Sequence, residues 1–165
     1  MPEKKAHNPK EPKIIPNQFQ RAKEIIWDEV LEKIEWDSTK EPETVKYFGN
    51  EIVDGNLNAD DLPTMILHSD YYPDSIQNAI TEVRGLKEVK NITCMYVSFA
   101  KDAPTHGPIS NKSNVLLVGG PGKVGYALTG TGETWLNPGD LLYIPAGTIY
   151  EEVIIGPRAT MRFDL

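Results

Sequence analysis

Cysteine is almost absent from this sequence: Cys94 is the only one, so the chain cannot form an internal disulfide. That scarcity is typical of proteins from a reducing compartment. Long apolar runs are missing as well, since no stretch approaches the ~20 residues that a membrane-spanning helix needs. The first thirteen residues, MPEKKAHNPKEPK, lack the apolar core of a secretory signal. Together these absences predict a cytoplasmic protein.

Positive charge is also scarce. With 17 Lys and Arg against 24 Asp and Glu, the net charge is −7 at pH 7. Nucleic acids and anionic membranes repel a negative protein, so we expect neither as a partner. The length of 165 residues suits one domain with a substantial core. We expect a flexible tail over 1–13 and a single domain over 14–165; alternatively, the tail is an arm that docks on a partner subunit through Ile14 and Ile15.

Two segments in the first half of the chain carry helical signals, which predicts a helical part over 14–90. Asn17 and Gln20 form a capping-box pattern, and apolar residues then recur at helical spacing. This apolar face is broad, so the first helix is expected to lie against a sheet. A second, shorter helix is predicted over 75–84, where a similar cap precedes an apolar face.

The second half has the pattern of a β protein. Short segments rich in strand-forming residues follow one another from Asn91 onward, with Gly or Pro in most of the gaps. The predicted strands are 92–99, 114–118, 123–128, 133–136, 141–144, 150–155 and 159–163, with two more upstream at 44–48 and 65–68. Many short strands separated by turns indicate a sandwich or barrel. We therefore expect an antiparallel barrel over 91–165, made of two facing sheets.

The clearest motif is the stretch 137–153, NPGDLLYIPAGTIYEEV, which reads as turn, strand, turn, strand. It resembles the second conserved motif of the cupin superfamily, G-x5-P-x-G-x2-H-x3-N. Gly139, Pro145 and Gly147 match the glycine, proline and glycine of that motif, whereas Tyr150 stands where the family has a metal-binding His. The resemblance implies a mainly β fold, a double-stranded β-helix (a cupin-like jelly-roll barrel) with the two N-terminal helices packed on it.

The first cupin motif, G-x5-H-x-H-x3-E-x6-G, can be placed in the same register. His106 matches its first His, while Pro108 and Lys112 stand at the second His and the Glu. Cupins hold a divalent metal with three His and one Glu, and only His106 keeps a good donor here. A tyrosine at the fourth position is protonated near neutral pH, because its ordinary pKa is about 10. We expect no bound metal; if one is bound, His106 would be a ligand, and the resemblance implies Fe(II) with 2-oxoglutarate.

The C-terminal segment GPRATMRFDL resembles the last strand of iron- and 2-oxoglutarate-dependent oxygenases, which share the double-stranded β-helix. In those enzymes an Arg on this strand binds the carboxylate of the co-substrate. Alternation puts Arg158, Thr160 and Arg162 on one face of the strand. Either this face lines the barrel interior and binds a ligand, or it faces solvent, with Met161 and Phe163 in the core. The sequence alone slightly favours the second arrangement.

The same oxygenases carry an H-x-D metal motif, and His68-Ser69-Asp70 has these letters. The triplet lies just before a predicted helix and far upstream of the barrel strands. Short motifs outside their structural context are mostly chance matches. We therefore interpret it as the end of a strand, where Asp70 accepts a local hydrogen bond.

Three hypotheses for function follow. The first is a cupin-like protein with a degenerate metal site that binds a small, anionic ligand or serves as a structural or interaction module. The second is a non-haem Fe(II)/2-oxoglutarate-dependent dioxygenase with unorthodox ligands. The third is a metal-free isomerase or epimerase in which His106 is the base and Tyr150 the acid. Both residues are expected to project into one barrel mouth. The expected ligand-binding residues are Lys112, Glu152, Arg158 and Arg162.

Exposed sheet edges are pairing sites, because their backbone N–H and C=O groups lack partners. Cupin-like domains with an N-terminal arm associate through such edges, so the resemblance implies a homodimer. Light scattering at micromolar concentration measures this directly, and a monomer mass would contradict the expectation.

Overall fold

The computed structural model describes residues 11–48, 64–99, 109–153 and 156–165. The helices in this part of the chain are α1 (Gln20–Lys23), α2 (Trp27–Lys40) and α3 (Asp74–Val83), with one 3₁₀ turn at Pro42–Thr44. The strands are β1 (Lys13–Ile15), β2 (Val45–Phe48), β3 (Thr64–Leu67), β4 (Ile92–Ser98), β5 (Val115–Gly119), β6 (Val124–Leu128), β7 (Gly132–Leu136), β8 (Leu141–Ile144), β9 (Tyr150–Val153) and β10 (Arg158–Asp164). None of these described helices is both long and apolar enough to cross a membrane.

The strands form two sheets. The larger has seven strands in the order β1-β8-β5-β10-β4-β3-β2, and the smaller has three in the order β7-β6-β9. Every pairing between these strands is antiparallel. The predicted mainly β fold with helices packed on it is confirmed, although the two sheets face one another without closing into one barrel. Ile14 and Ile15 pair with β8 of the same chain, opposite Leu142 and Leu141.

Two apolar layers hold the fold together, one on each face of the large sheet. The first lies between this sheet and the helices and includes Ile76, Met161 and Phe163. The second lies between the two sheets and includes Leu117, Leu142 and other aliphatic side chains. Successive residues of a strand point to opposite faces. The residues that alternate with Met161 and Phe163 along β10 must therefore point toward the small sheet. The polar face of β10 therefore faces the interior and not solvent, while Met161 and Phe163 lie in the core, as the second arrangement had them.

The first predicted helix is present but begins and divides differently from the capping-box prediction. Asn17 has a left-handed backbone (φ 56°), and α1 has Phe19 as its N-cap with no side-chain cap. The amides of Gln18 and Phe19 instead donate to the carbonyl of Gly139, in the turn before β8. A contact from a distant segment thus replaces the local cap. The helix also breaks at Ile26, which is extended, and Ile is a weaker helix former than Ala or Leu.

Helix α2 carries a buried charged cluster that joins it to the segment after β3. The ammonium of Lys33 donates to the Ser69 hydroxyl at 2.7 Å and lies 3.1 Å from a carboxylate oxygen of Asp37. Ser69 donates in turn to Asp37 at 2.5 Å, and the ring of Tyr72 covers the ammonium at 3.9 Å. Burial lowers the pKa of Lys33, and the neighbouring Asp37 opposes that shift. These contacts hold α2 against the segment between β3 and α3.

The turn before β8 anchors the N-terminal segment through Asp140, a residue of the cupin-like motif. Its Oδ1 accepts from the Asn17 amide at 2.8 Å and its Oδ2 from the Asn137 amide at 2.9 Å. The preceding Gly139 is left-handed (φ 87°), and a Cβ there would lie 2.8 Å from the carbonyl oxygen of Phe19. This glycine is therefore required both by the turn and by the close approach of the N-terminal segment.

Replacing Asp140 with Ala should lower the free energy of unfolding by about 1–3 kcal/mol, because two backbone amides lose their acceptor. Asp140→Asn is the matched control, since it keeps one oxygen acceptor and should lose about half as much. Urea denaturation measures both variants. Equal stability of Asp140→Ala and the unmodified chain would show that this turn does not hold the N-terminal segment.

Candidate functional site

The space between the two sheets, called the lumen below, is lined by polar as well as apolar side chains. On the large sheet these side chains come from β4 and β10, and on the small sheet from β6 and β9. The polar lumen residues are Cys94, Tyr96, Ser98, Tyr126, Tyr150, Glu152, Arg158, Thr160, Arg162 and, at the end of β10, Asp164. A polar lumen inside a mainly apolar sandwich is unusual, because buried polar groups require partners, and it marks this space as the candidate site.

Arg158 and Glu152 form a buried ion pair across the lumen. Their Nη2 and Oε1 atoms are 2.5 Å apart, and their side chains are only 2% and 8% exposed. Arg158 also donates to the carbonyl of Gly156. Since β9 belongs to the small sheet and β10 to the large one, this pair links the two sheets directly. Arg158 is thus a cation whose charge is already matched by a buried carboxylate.

Arg162 lies further along β10 than Arg158, and its side chain is more accessible to solvent. Its Nη1 donates to the hydroxyl of Tyr96 at 3.0 Å, and its Nε donates to Asp164 at 3.2 Å. The side chains of Arg162 and Asp164 are 19% and 35% exposed. The remaining amino group, Nη2, has no hydrogen-bond partner in the part of the chain that the structure describes. Arg162 can therefore offer a donor to a bound molecule without breaking a buried ion pair.

Three phenols surround these charges. The ring of Tyr126 contacts that of Tyr150 edge-on, with centroids 6.1 Å apart, and the hydroxyl of Tyr150 accepts from Asn111 at 3.1 Å. Burial raises the pKa of Tyr96, Tyr126 and Tyr150, so all three phenols are neutral at pH 7. Burial likewise raises the pKa of Cys94 to about 11, which keeps its thiol protonated. Neutral hydroxyls in such a space supply hydrogen bonds but no negative charge.

The structure brings together four of the residues singled out from the sequence. Tyr150, Glu152, Arg158 and Arg162 all lie on the lumen faces of β9 and β10. Lys112 is exposed in a bend before β5, one residue after Asn111, and so its expected role in ligand binding stays a prediction. His106 lies outside the described residues, and so its expected position beside Tyr150 stays a prediction.

Sequence reasoning missed Tyr96, Tyr126, Asn111 and Asp164. Tyr96 lies in a segment, 92–99, that is apolar on both faces, so alternation could not assign its side chain to the lumen. Tyr126 gave a usable signal, because Val124, Tyr126 and Leu128 alternate with small residues along β6. The contact between Asn111 and Tyr150 joins loop to strand and leaves no pattern in the sequence.

The described residues do not fit a divalent metal. No group of three or more His, Cys, Asp or Glu side chains converges anywhere in the described ranges. The carboxylates of the lumen, Glu152 and Asp164, each form an ion pair with an arginine. A divalent cation placed there would meet two guanidinium groups that cannot be deprotonated.

The His68-Ser69-Asp70 triplet is not part of the lumen. His68 is exposed, and its Nδ1 lies 3.2 Å from the carbonyl of Thr44. Ser69 belongs to the buried Lys33 cluster, while Asp70 is exposed. The interpretation as a structural strand end therefore fits the contacts better than a metal motif.

Two facing antiparallel sheets with a polar lumen and helices on the outer face of the larger sheet define a cupin-like, double-stranded β-helix fold. The fold is shared with YcfD, a ribosomal oxygenase from Escherichia coli. Its structure with cobalt and 2-oxoglutarate matches with a TM-score of 0.64 and 14% identity, over 96% of this chain and 49% of that one. Its structure with cobalt and succinic acid matches with a TM-score of 0.61 and 16% identity, over 93% and 47%.

This chain spans about half the length of that oxygenase. No family model matches the sequence, and no curated protein matches it. At such low identity the likeness shows the fold alone. The predicted resemblance to cupins and to 2-oxoglutarate oxygenases is thereby confirmed for the fold.

Proposed function

We propose that this chain is a small-molecule-binding module whose lumen binds an anionic ligand through Arg162. The proposal rests on the difference between the two lumen arginines in burial and in hydrogen-bond partners. Arg158 is buried against Glu152, whereas Arg162 is partly exposed and has an amino group with no partner among the described residues. A guanidinium in this state binds carboxylates well, because its planar donors match two carboxylate oxygens.

The partners of Arg162 would allow such binding. Its ion pair with Asp164 is partly exposed, so the Asp164 carboxylate can turn toward solvent when an anion takes its place. Tyr96 holds Nη1 and fixes the plane of the guanidinium. The neutral phenols nearby add no negative charge that would repel an anion.

Binding should be measured with a panel of simple carboxylates, namely benzoate, hexanoate, succinate and 2-oxoglutarate. We expect at least one of them to raise the melting temperature and to give a saturable calorimetric signal. Arg162→Met should weaken that binding at least tenfold, because it removes the charge and keeps much of the side-chain volume. The matched control is Arg84→Met, at an exposed arginine after α3, which should leave binding unchanged. The proposal is wrong if no carboxylate binds, or if binding survives in Arg162→Met.

A second candidate, the Fe(II)/2-oxoglutarate dioxygenase, is supported by the fold shared with YcfD, whose structure holds cobalt and 2-oxoglutarate. The metal-free isomerase is supported by Tyr150, whose burial keeps the phenol neutral and able to donate a proton. Neither has a described set of catalytic groups, since both require His106. We therefore rank both candidates below the binding-module function.

Titration with iron(II), zinc and manganese separates these candidates. We expect no saturable binding at micromolar concentration, because the two carboxylates in the described part of the lumen are already paired with arginines. Calorimetry and thermal melting with and without 2-oxoglutarate measure this. Micromolar binding that disappears in His106→Ala would favour the oxygenase, whereas binding that survives that change would indicate an adventitious surface site.

A further inference from the structure

We infer that the ligand of the lumen is a monoanion with an apolar or aromatic body, rather than a dicarboxylate or a phosphate. This inference rests on the proposed function and adds the chemical class of the ligand. It follows from the charges and surfaces that the described residues place in the lumen.

The first step is the charge balance. The described lumen contains two arginines and two carboxylates, arranged as the pairs Arg158–Glu152 and Arg162–Asp164. Only the second pair is accessible enough to open. When Asp164 moves to solvent, one positive charge is left at Arg162, and it matches one carboxylate of a ligand. A second carboxylate would meet no free cation among the described residues and would lose its hydration, which is unfavourable for an ion without a partner.

The second step is the surface around Arg162. In the large sheet, Arg162 of β10 lies opposite Leu117 of β5. Leu117 lies opposite Leu142 of β8, and Leu142 lies opposite Ile14 of the edge strand β1. Ile14, Tyr96 and Ile109 pack against this apolar layer and are only partly buried. The apolar layer that extends from Arg162 across the sheet is thus aliphatic and aromatic, and Ile14, Tyr96 and Ile109 are its partly accessible members. A ligand body of the same character would be stabilised when its apolar surface is removed from water.

The third step concerns the hydrogen-bonding groups. Tyr96 and Tyr150 are neutral at pH 7, and Asn111 is an amide, so none of them supplies a second positive charge. These groups suit a single carboxylate head or a neutral polar substituent on the ligand. Lys112, which could match a second negative charge, is exposed in a bend before β5, so its ammonium is hydrated rather than buried against the lumen groups.

The test compares benzoate and hexanoate with succinate, 2-oxoglutarate and inorganic phosphate by calorimetry on the full chain. We expect a monoanion to bind at least tenfold more tightly than any of the three multiply charged probes. Multiply charged probes that bind as tightly as the monoanions, with binding lost in Arg162→Met, would overturn the inference and leave the proposed function intact. Failure of every probe to bind would overturn both.

Asp164→Asn provides the second variant. It removes one negative charge at an accessible position without touching the buried pair, so a second ligand charge would be tolerated better. The preference for monoanions over succinate should shrink at least threefold in this variant. A preference that stays the same would show that the lumen charge balance does not select the ligand. Lys46→Gln, a charge change on β2 at the far edge of the large sheet, is the control and should leave the preference unchanged.

Discussion

Replacing Lys33 with Met should lower the free energy of unfolding by about 3–5 kcal/mol, the usual cost of removing one partner from a buried ion pair. Lys33 and Asp37 are fully buried, and the ammonium also donates to the Ser69 hydroxyl and carbonyl. Without it, the Asp37 carboxylate keeps only the hydrogen bond from Ser69 among its contacts with described residues. Chemical denaturation gives the change in stability.

The double variant Lys33→Met/Asp37→Asn tests the cause of that loss. It removes both charges and keeps an amide oxygen that can accept from Ser69, so it should recover at least half of the lost stability. If the double variant is less stable than Lys33→Met, the loss does not come from the unpaired carboxylate. Lys40→Met, at the exposed end of the same helix, should change stability by less than about 0.5 kcal/mol.

The second large effect is expected at the ion pair between the sheets. Arg158→Met should destabilise the chain by about 3–5 kcal/mol at pH 7, because it leaves the Glu152 carboxylate buried without its cation. Chemical denaturation at pH 7 measures the loss.

Glu152→Gln is the matched partner of that experiment. It leaves the Arg158 guanidinium without its carboxylate, and this group cannot lose its proton. Its loss of stability should therefore be of similar size, because a buried charge again lacks its partner. Denaturation curves at pH 7 measure both variants. Unchanged stability in either variant would contradict the assignment of the effect to this ion pair.

The strands of the second half were predictable because their signals are local. Alternation and turn glycines place β6, β7, β8 and β9 within one or two residues of the observed bounds. The capping-box prediction at Asn17 was wrong because the turn at Gly139, far away in sequence, binds the amides that a side chain was expected to cap. Local patterns also could not show that β1, β2 and β3 join the large sheet, since the sequence of a strand does not specify which strand it pairs with.

The candidate site was predictable only where it lies on a strand with clear alternation. Alternation along β9 puts Tyr150 and Glu152 on one face of the strand, and the structure places both toward the lumen. For Arg158 and Arg162 the sequence left two faces open, and only the position of the small sheet decides between them. Lys112 was selected by motif spacing alone, and spacing does not show whether a loop residue turns inward or into water.

The position of β10 has a consequence for how this chain folds. The strand follows all the others in sequence but pairs with β5 on one side and β4 on the other, in the middle of the large sheet. The two halves of that sheet therefore cannot join until β10 has been synthesised and inserted between them. Such sequence-distant pairing gives a high contact order, and chains of this kind fold in milliseconds to seconds rather than microseconds. Until then β4 and β5 expose unpaired edges, so newly made chains would depend on rapid insertion of this strand to avoid aggregation.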